Sequence, residues 1–277
     1  MRLCAFADEA SPDIEGQVRA LSRNGIGLLE IRGVNGKNIK DVSVSEAFEI
    51  RKHLDSAGID VWSIGSPVGK IALDGDMDTH FEEFRHITEL SDVLGARRIR
   101  MFSFYPAENM SEKEQRTLVF ENIEKLLSLT PPHIMLCHEN EKDIYGETAE
   151  RCLELYKAFP RLRAVFDPAN FVQVGEDVLL AWERLAPFTE YIHIKDADSR
   201  GINVPAGAGE GKLPEIIRAY LARGGEVMTL EPHLYKFTGL SALENGNEAR
   251  MGKLNFKNND ESFDAAAAAL RNIIGHI

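Results

Sequence analysis

Eight short apolar runs, each followed by a stretch of helical period, constrain this chain more than any other feature. They lie at 2–6, 28–31, 59–64, 98–102, 133–138, 163–166, 190–194 and 227–230. Short runs bounded by polar residues, Gly or Pro read as buried strands. The intervening segments predict helices at 12–24, 44–57, 76–94, 111–129, 147–158, 176–186, 213–223 and 260–274. Punctuation supports these bounds. Ser11 is the expected N-cap of the first helix, with Pro12 at its first turn and Gly25 just past its end. Gly58 and Gly95 close the second and third helices, and Ser111 caps the fourth.

Strands that alternate with helices at this spacing need a parallel sheet with the helices packed on its faces. Eight such units close more readily into a barrel than into an open doubly wound sheet. No Gly-x-Gly-x-x-Gly follows the first strand, so the usual dinucleotide signature of the open sheet is missing. The 277 residues are also close to the ~250 typical of a closed barrel. The expectation is therefore one α/β domain over 1–277, a single parallel eight-stranded (β/α)8 TIM barrel.

The C-terminal ends of barrel strands share one face, where active sites lie. Four candidate metal ligands fall there: Glu139, Asp167, His193 and Glu231. The intervals between them each fit one β/α unit of about 30 residues. One imidazole with three carboxylates is a mostly hard-oxygen set. It suits one divalent cation, Mn²⁺ or Mg²⁺, with Co²⁺, Fe²⁺ or Zn²⁺ also compatible. Strand alternation puts Met135, Cys137 and Glu139 on one side, and Thr229, Glu231 and His233 likewise, facing the barrel interior. A bound metal polarises a carbonyl and its neighbouring hydroxyl. Carboxylates on either side, Glu139 and Glu231, would then remove and return the proton between them. That is the requirement for isomerising or epimerising a sugar through an enediolate.

The other strand ends are polar as well. Glu30, Arg32, Lys70, His138, Asn170, Lys195 and His233 are the candidate substrate-binding residues for a polyol, with Arg32, Lys70 and Lys195 available to an anionic group such as a phosphate. Gly207-x-Gly209-x-Gly211 reads as a mobile loop over the site, and residues 235–258 as a lid or a subunit contact in a homo-oligomer.

His138-Glu-Asn140, Phe166-Asp-Pro-Ala-Asn170-Phe, His193-Ile-Lys-Asp196, Gly207-x-Gly-Glu-Gly211 and Leu230-Glu-Pro-His233 together resemble the xylose isomerase-like TIM-barrel superfamily, in its sugar phosphate isomerase/epimerase branch. The resemblance runs over essentially the whole chain. It implies one divalent metal, commonly Mn²⁺, on Glu139, Asp167, His193 and Glu231, with the two glutamates as the acid/base pair. One position departs from it. Ketose 3-epimerases of the group often carry histidine three residues after the aspartate, where this chain has Asn170. The superfamily also holds dehydratases and lyases of keto-sugars, keto-glycosides and keto-inositols, which begin with the same proton removal and form the alternative reading.

The remaining classes fit less well. A net charge of −12 argues against a nucleic-acid or anionic-membrane surface, and so against an abasic-site nuclease on this scaffold. A non-enzymatic sugar-binding barrel is the bland alternative. No run approaches the ~18 apolar residues of a membrane helix, and charges follow Phe6 too soon for a signal peptide. Cys4, Cys137 and Cys152 show no pairing pattern, which points to a reducing, cytoplasmic setting.

Overall fold

The apolar runs form the eight strands of a closed barrel in a computed structural model that describes residues 1–238, 240 and 256–277. The strands are β1 (Arg2–Ala5), β2 (Leu28–Ile31), β3 (Asp60–Gly65), β4 (Arg98–Met101), β5 (Met135–Glu139), β6 (Arg163–Phe166), β7 (Thr189–Ile194) and β8 (Val227–Leu230). Each pairs in parallel with its sequence neighbours, and β8 closes on β1 through Arg2↔Val227 to Ala5↔Leu230. Two register shifts, at Leu29/Glu30 and Ala164/Val165, turn β2 and β6 against their neighbours.

The helices are α1 (Ile14–Arg23), α2 (Val44–Ala57), α3 (Met77–Leu94), α4 (Glu112–Leu129), α5 (Ala149–Ala158), α6 (Pro168–Gln173), α7 (Val178–Leu185), α8 (Leu213–Ala222) and α9 (Asn259–Ile274). Their ends follow local chemistry. Ser43 and Ser111 each form a capping box, with Glu46 and Glu114, and Gly58 and Gly95 close α2 and α3 in the left-handed region. Most bounds fall within two residues of expectation, and two points differ in their chemistry. The cap of α1 is Asp13, whose Oδ1 accepts from Gly16 N at 2.7 Å. Ser11 is spent on Asp13 itself, at 2.8 Å. The second difference is α6, which was not expected. Asp167 caps it and Pro168 occupies its first turn.

Strand residues alternate between two environments. Leu29, Ile64, Ile99, Leu136, Ile192 and Met228 join the main core against helix residues such as Leu54, Phe84 and Leu155. Each such fully buried side chain contributes about 1.5–3 kcal/mol. The opposite strand face carries two small apolar clusters apart from that core, Cys4–Leu28–Val227 against Trp62 and Cys137–Val165–Tyr191 against Met135. All three cysteines are buried and free. Among the described residues no helix is long and apolar enough to cross a membrane. Of the expected 235–258 lid, residues 239 and 241–255 lie outside the described residues.

Candidate metal centre

Glu139 ends β5, and Asp167, His193 and Glu231 sit at the same ends of β6, β7 and β8. One ligand atom from each lies within 4.8 Å of the others, and all four residues are buried. His193 is the hub. Its Nδ1 is 3.0 Å from Glu139 Oε1, 3.1 Å from Glu231 Oε2 and 3.9 Å from Asp167 Oδ2. Its Nε2 is 3.3 Å from Glu30 Oε2, while Glu30 Oε1 accepts from the Tyr191 hydroxyl at 2.8 Å. A carboxylate behind a metal-facing imidazole fixes both its tautomer and its orientation. Glu30 is thus screened behind His193, and this placement does not fit the substrate contact expected of it.

Asp167 is held by its backbone. Its N–H donates to Asn140 Oδ1 at 2.9 Å, and its carbonyl accepts from Asn140 Nδ2 at 2.9 Å. That side-chain amide extends the β5–β6 ladder by one rung. Asp167 Oδ1 then takes the N–H of Asn170 at 3.0 Å, which leaves Oδ2 to face the centre. Asn170 Nδ2 donates to Asn140 O at 2.8 Å and approaches Glu139 Oε1 at 3.4 Å.

Three buried cations complete the cluster. Arg100 Nη1 contacts Glu139 Oε2 at 3.0 Å. Arg32 Nη1 contacts Glu231 Oε1 at 2.6 Å, and its other nitrogens hold Asp8 at 2.9 and 3.0 Å. Lys195 Nζ is 2.8 Å from Asp167 Oδ2. Burial opposes charge on every member, and the partners decide the outcome. Burial pushes Glu139 up, but His193 and Arg100 outweigh it and hold the carboxyl down at about 2. Glu231 is likewise held well below the usual carboxylate range, by Lys195 and His193 against burial. Asp167 goes the other way, to about 6, because burial and the nearby Glu139 and Glu231 charges outweigh Lys195. His193 is held well above its ordinary value, since Glu139, Glu30 and Glu231 overcome burial.

The donor set suits a divalent cation on a further ground. Asp167 Oδ2 and Glu231 Oε2 are buried without a well-formed hydrogen bond, although Lys195 and His193 stand at ion-pair distance. Two orphaned carboxylate oxygens beside an imidazole nitrogen are what such an ion would satisfy.

The other expected residues fall in different places. His233 lies beside the centre, its Nε2 3.4 Å from Glu231 Oε1 and 3.5 Å from Glu9 Oε1. Arg32 and Lys195 are matched by buried acids, so neither stands free for an anionic group. Lys70 lies farther out, 3.3 Å from Glu141, with its ammonium over the Phe102 ring. His138 points the opposite way. Strand alternation turns it from Glu139 toward α5, where Nδ1 meets Tyr156 Oη and Nε2 meets Ser103 Oγ, both at 3.0 Å. It therefore does not join the candidate substrate contacts. The Gly207–Gly211 loop is tied down rather than loose. Asp196 accepts from the N–H groups of Gly207, Gly209 and Gly211 at 2.8, 3.0 and 2.9 Å. Sequence reasoning did not find Arg100, Asp8, Glu9 or the Asn140 clamp. A cavity of about 260 Å³ opens beside Arg32, between Val34, Pro67, Lys70 and Phe237.

The model of the xylose isomerase-like TIM barrel family matches residues 18–271. An L-ribulose 3-epimerase structure superposes with a TM-score of 0.77 at 18% identity, covering 99% of this chain and 95% of that one. The probable 3-DHS dehydratase AsbF of Bacillus anthracis superposes at 0.75 with 16% identity, over 99% of each chain. The IOLI protein, solved with a zinc atom bound, superposes at 0.73 with 14% identity, over 100% of this chain and 99% of that one. At these identities the likeness is one of fold. No curated protein matches the sequence. With a closed eight-stranded barrel and a family match over nearly its whole length, the chain belongs to the xylose isomerase-like TIM-barrel family.

Proposed function

We propose that the protein is a divalent-metal-dependent isomerase or epimerase of a sugar or sugar-like polyol. One observation carries the reading: Glu139, Asp167, His193 and Glu231 converge from four strand ends with two carboxylate oxygens left unsatisfied. Those four residues would hold the cation. When bound, it supplies Lewis acidity, lowering the cost of deprotonating a carbon next to a substrate carbonyl.

The chain's own groups would do the rest. Glu139 and Glu231 approach from β5 and β8, each within 3.1 Å of His193 Nδ1. Their neighbours keep both ionised at neutral pH, so either can act as the base. The carboxyl that takes the proton can return it to the substrate, and delivery by the other glutamate requires that one to have been protonated first. Arg100 and Arg32 pin the outer oxygen of each, which fixes where the inner oxygen points. Burial of the whole cluster strengthens the electrostatic contacts among these groups.

Asn170 favours a second reading, a lyase or dehydratase of a keto-sugar, keto-glycoside or keto-inositol. Its amide reaches toward Glu139 Oε1, at 3.4 Å, and can hydrogen-bond there but cannot shuttle a proton. The fold likeness to a probable 3-DHS dehydratase is consistent with that chemistry.

The test is a panel of ketoses and keto-polyols incubated with Mn²⁺-loaded protein in D₂O. Deuterium incorporation with the carbon skeleton intact supports the isomerase or epimerase. Release of water or an aglycone supports the lyase. Incorporation that persists unchanged in Glu139→Gln and Glu231→Gln would remove both glutamates from the chemistry; a loss of about 10²–10⁴-fold is expected.

A further inference from the structure

Two of the three buried cations and the third are placed differently. Arg100 and Arg32 grip the outer oxygens, Glu139 Oε2 and Glu231 Oε1. Arg32 is itself fixed by Asp8 and lies over the Phe6 ring, 4.3 Å from its centroid. Lys195 instead stands at the inner oxygens. Its Nζ is 2.8 Å from Asp167 Oδ2 and 3.8 Å from Glu231 Oε2. These are the two oxygens that lack a well-formed hydrogen bond and that a metal would take.

Position and chemistry explain the difference. Lys195 follows His193 by two residues, so its stem leaves the backbone on the same side as the imidazole. An ammonium is a compact point charge on a flexible stem, without the fork geometry that locks a guanidinium. It can neutralise two carboxylates and still withdraw. A second acid waits nearby: Glu141, which contacts Lys70 at 3.3 Å, also acts electrostatically on Lys195.

We propose that Lys195 is the resident counter-cation of this centre: its ammonium holds Asp167 and Glu231 together when no metal is bound and must swing aside for a divalent ion to enter. Lys195 then sets the affinity for the metal without ligating it. This rests on the metal reading above, and the role is one of positioning.

The experiment is calorimetric titration of chelator-stripped protein with MnCl₂, alongside thermal unfolding of the metal-free forms. The variants are Lys195→Met, Lys195→Gln as a polar neutral alternative should the first fold poorly, and Lys195→Arg. Wild type is expected to bind one Mn²⁺. Both neutral variants should bind it at least about tenfold more tightly, because the competing charge is gone. Their metal-free forms should unfold at lower temperature, because two buried carboxylates lose their partner. Lys195→Arg should not gain affinity. If wild type binds one Mn²⁺ and the neutral variants bind it equally or less tightly, the counter-cation idea falls and the metal centre stands. A neutral variant whose metal-free form unfolds no earlier than wild type also overturns it. If neither wild type nor the variants bind Mn²⁺, both proposals fall together.

Discussion

His138 offers the sharpest check on the energetics, because its environment is closed and its partners are few. The ring is fully buried and meets only neutral groups, Tyr156 Oη and Ser103 Oγ. Ser103 Oγ also accepts the Gly146 N–H at 2.7 Å, which leaves its own proton for Nε2. Tyr156 Oη donates to the His138 carbonyl at 3.2 Å, which leaves a lone pair for Nδ1–H. The network is satisfied by one neutral tautomer. Burial accordingly pushes the ring down from 6.5 to about 3, with Glu139 opposing only weakly. The unfolded chain takes up a proton near pH 6.5 that the folded chain refuses until about pH 3. Stability on this account is full above pH 6.5 and is lost as the pH falls. Between pH 8 and pH 5 the loss is about 2 kcal/mol, from 1.36 kcal/mol per unit below pH 6.5. The perturbation is His138→Gln, which keeps a polar side chain and removes the titration. The assay is urea unfolding followed by tryptophan fluorescence, with chelator present so that metal-linked protons do not enter. Wild type should lose about 2 kcal/mol more than the variant over that range, all other groups cancelling in the difference. Parallel pH profiles would refute the assignment of a neutral, sealed imidazole.

Two further outcomes follow from the geometry. Mn²⁺ at a hundred times its Kd should stabilise the fold by about 2.7 kcal/mol, a rise of several degrees in Tm that EDTA reverses; a shift that survives in Asp167→Asn together with His193→Gln would place the ion elsewhere. Gly209→Ala should cost about 1–3 kcal/mol in chemical unfolding, because its Cβ would stand 2.4 Å from both Ala197 O and Asp196 Oδ1; wild-type stability in that variant would mean the loop is not packed as described.

Much of the fold was legible because local and global signals agree. Ser111 at the start of α4 and Gly58 at the end of α2 are caps whose chemistry is decided within one turn. The start of α1 was less so, since Ser11, Pro12 and Asp13 each satisfy a rule for a helix start and only the folded chain shows Asp13 taking the Gly16 N–H. The Asp-Pro pair that opens α6 is itself a cap signal, with Asp167 serving as helix cap and candidate ligand at once. The four candidate ligands were visible from strand ends alone. The orientation of His138 was also available, since alternation sends it opposite to Glu139. What sequence could not supply was pairing. Arg98 and Arg100 share one face of β4, yet nothing local says that Arg100 meets Glu139 and Arg98 meets Glu190. Asp8 and Glu9 lie just past β1, one β/α unit before Arg32, and the pairing of β1 with β2 brings them to it, whereas Glu231 reaches Arg32 only because β8 closes on β1.

The cradle around Asp196 has a consequence for what the protein can recognise. Three glycine N–H groups from alternate residues converge on one carboxylate, a concave anion site akin to the nests that elsewhere capture phosphates. Here the anion is covalently part of the chain, and a fourth N–H, from Ala197, closes on it at 3.0 Å. The nest is already full. A phosphorylated ligand would have to evict a built-in carboxylate to use it, so any selectivity for phosphate in this barrel must be built from other groups.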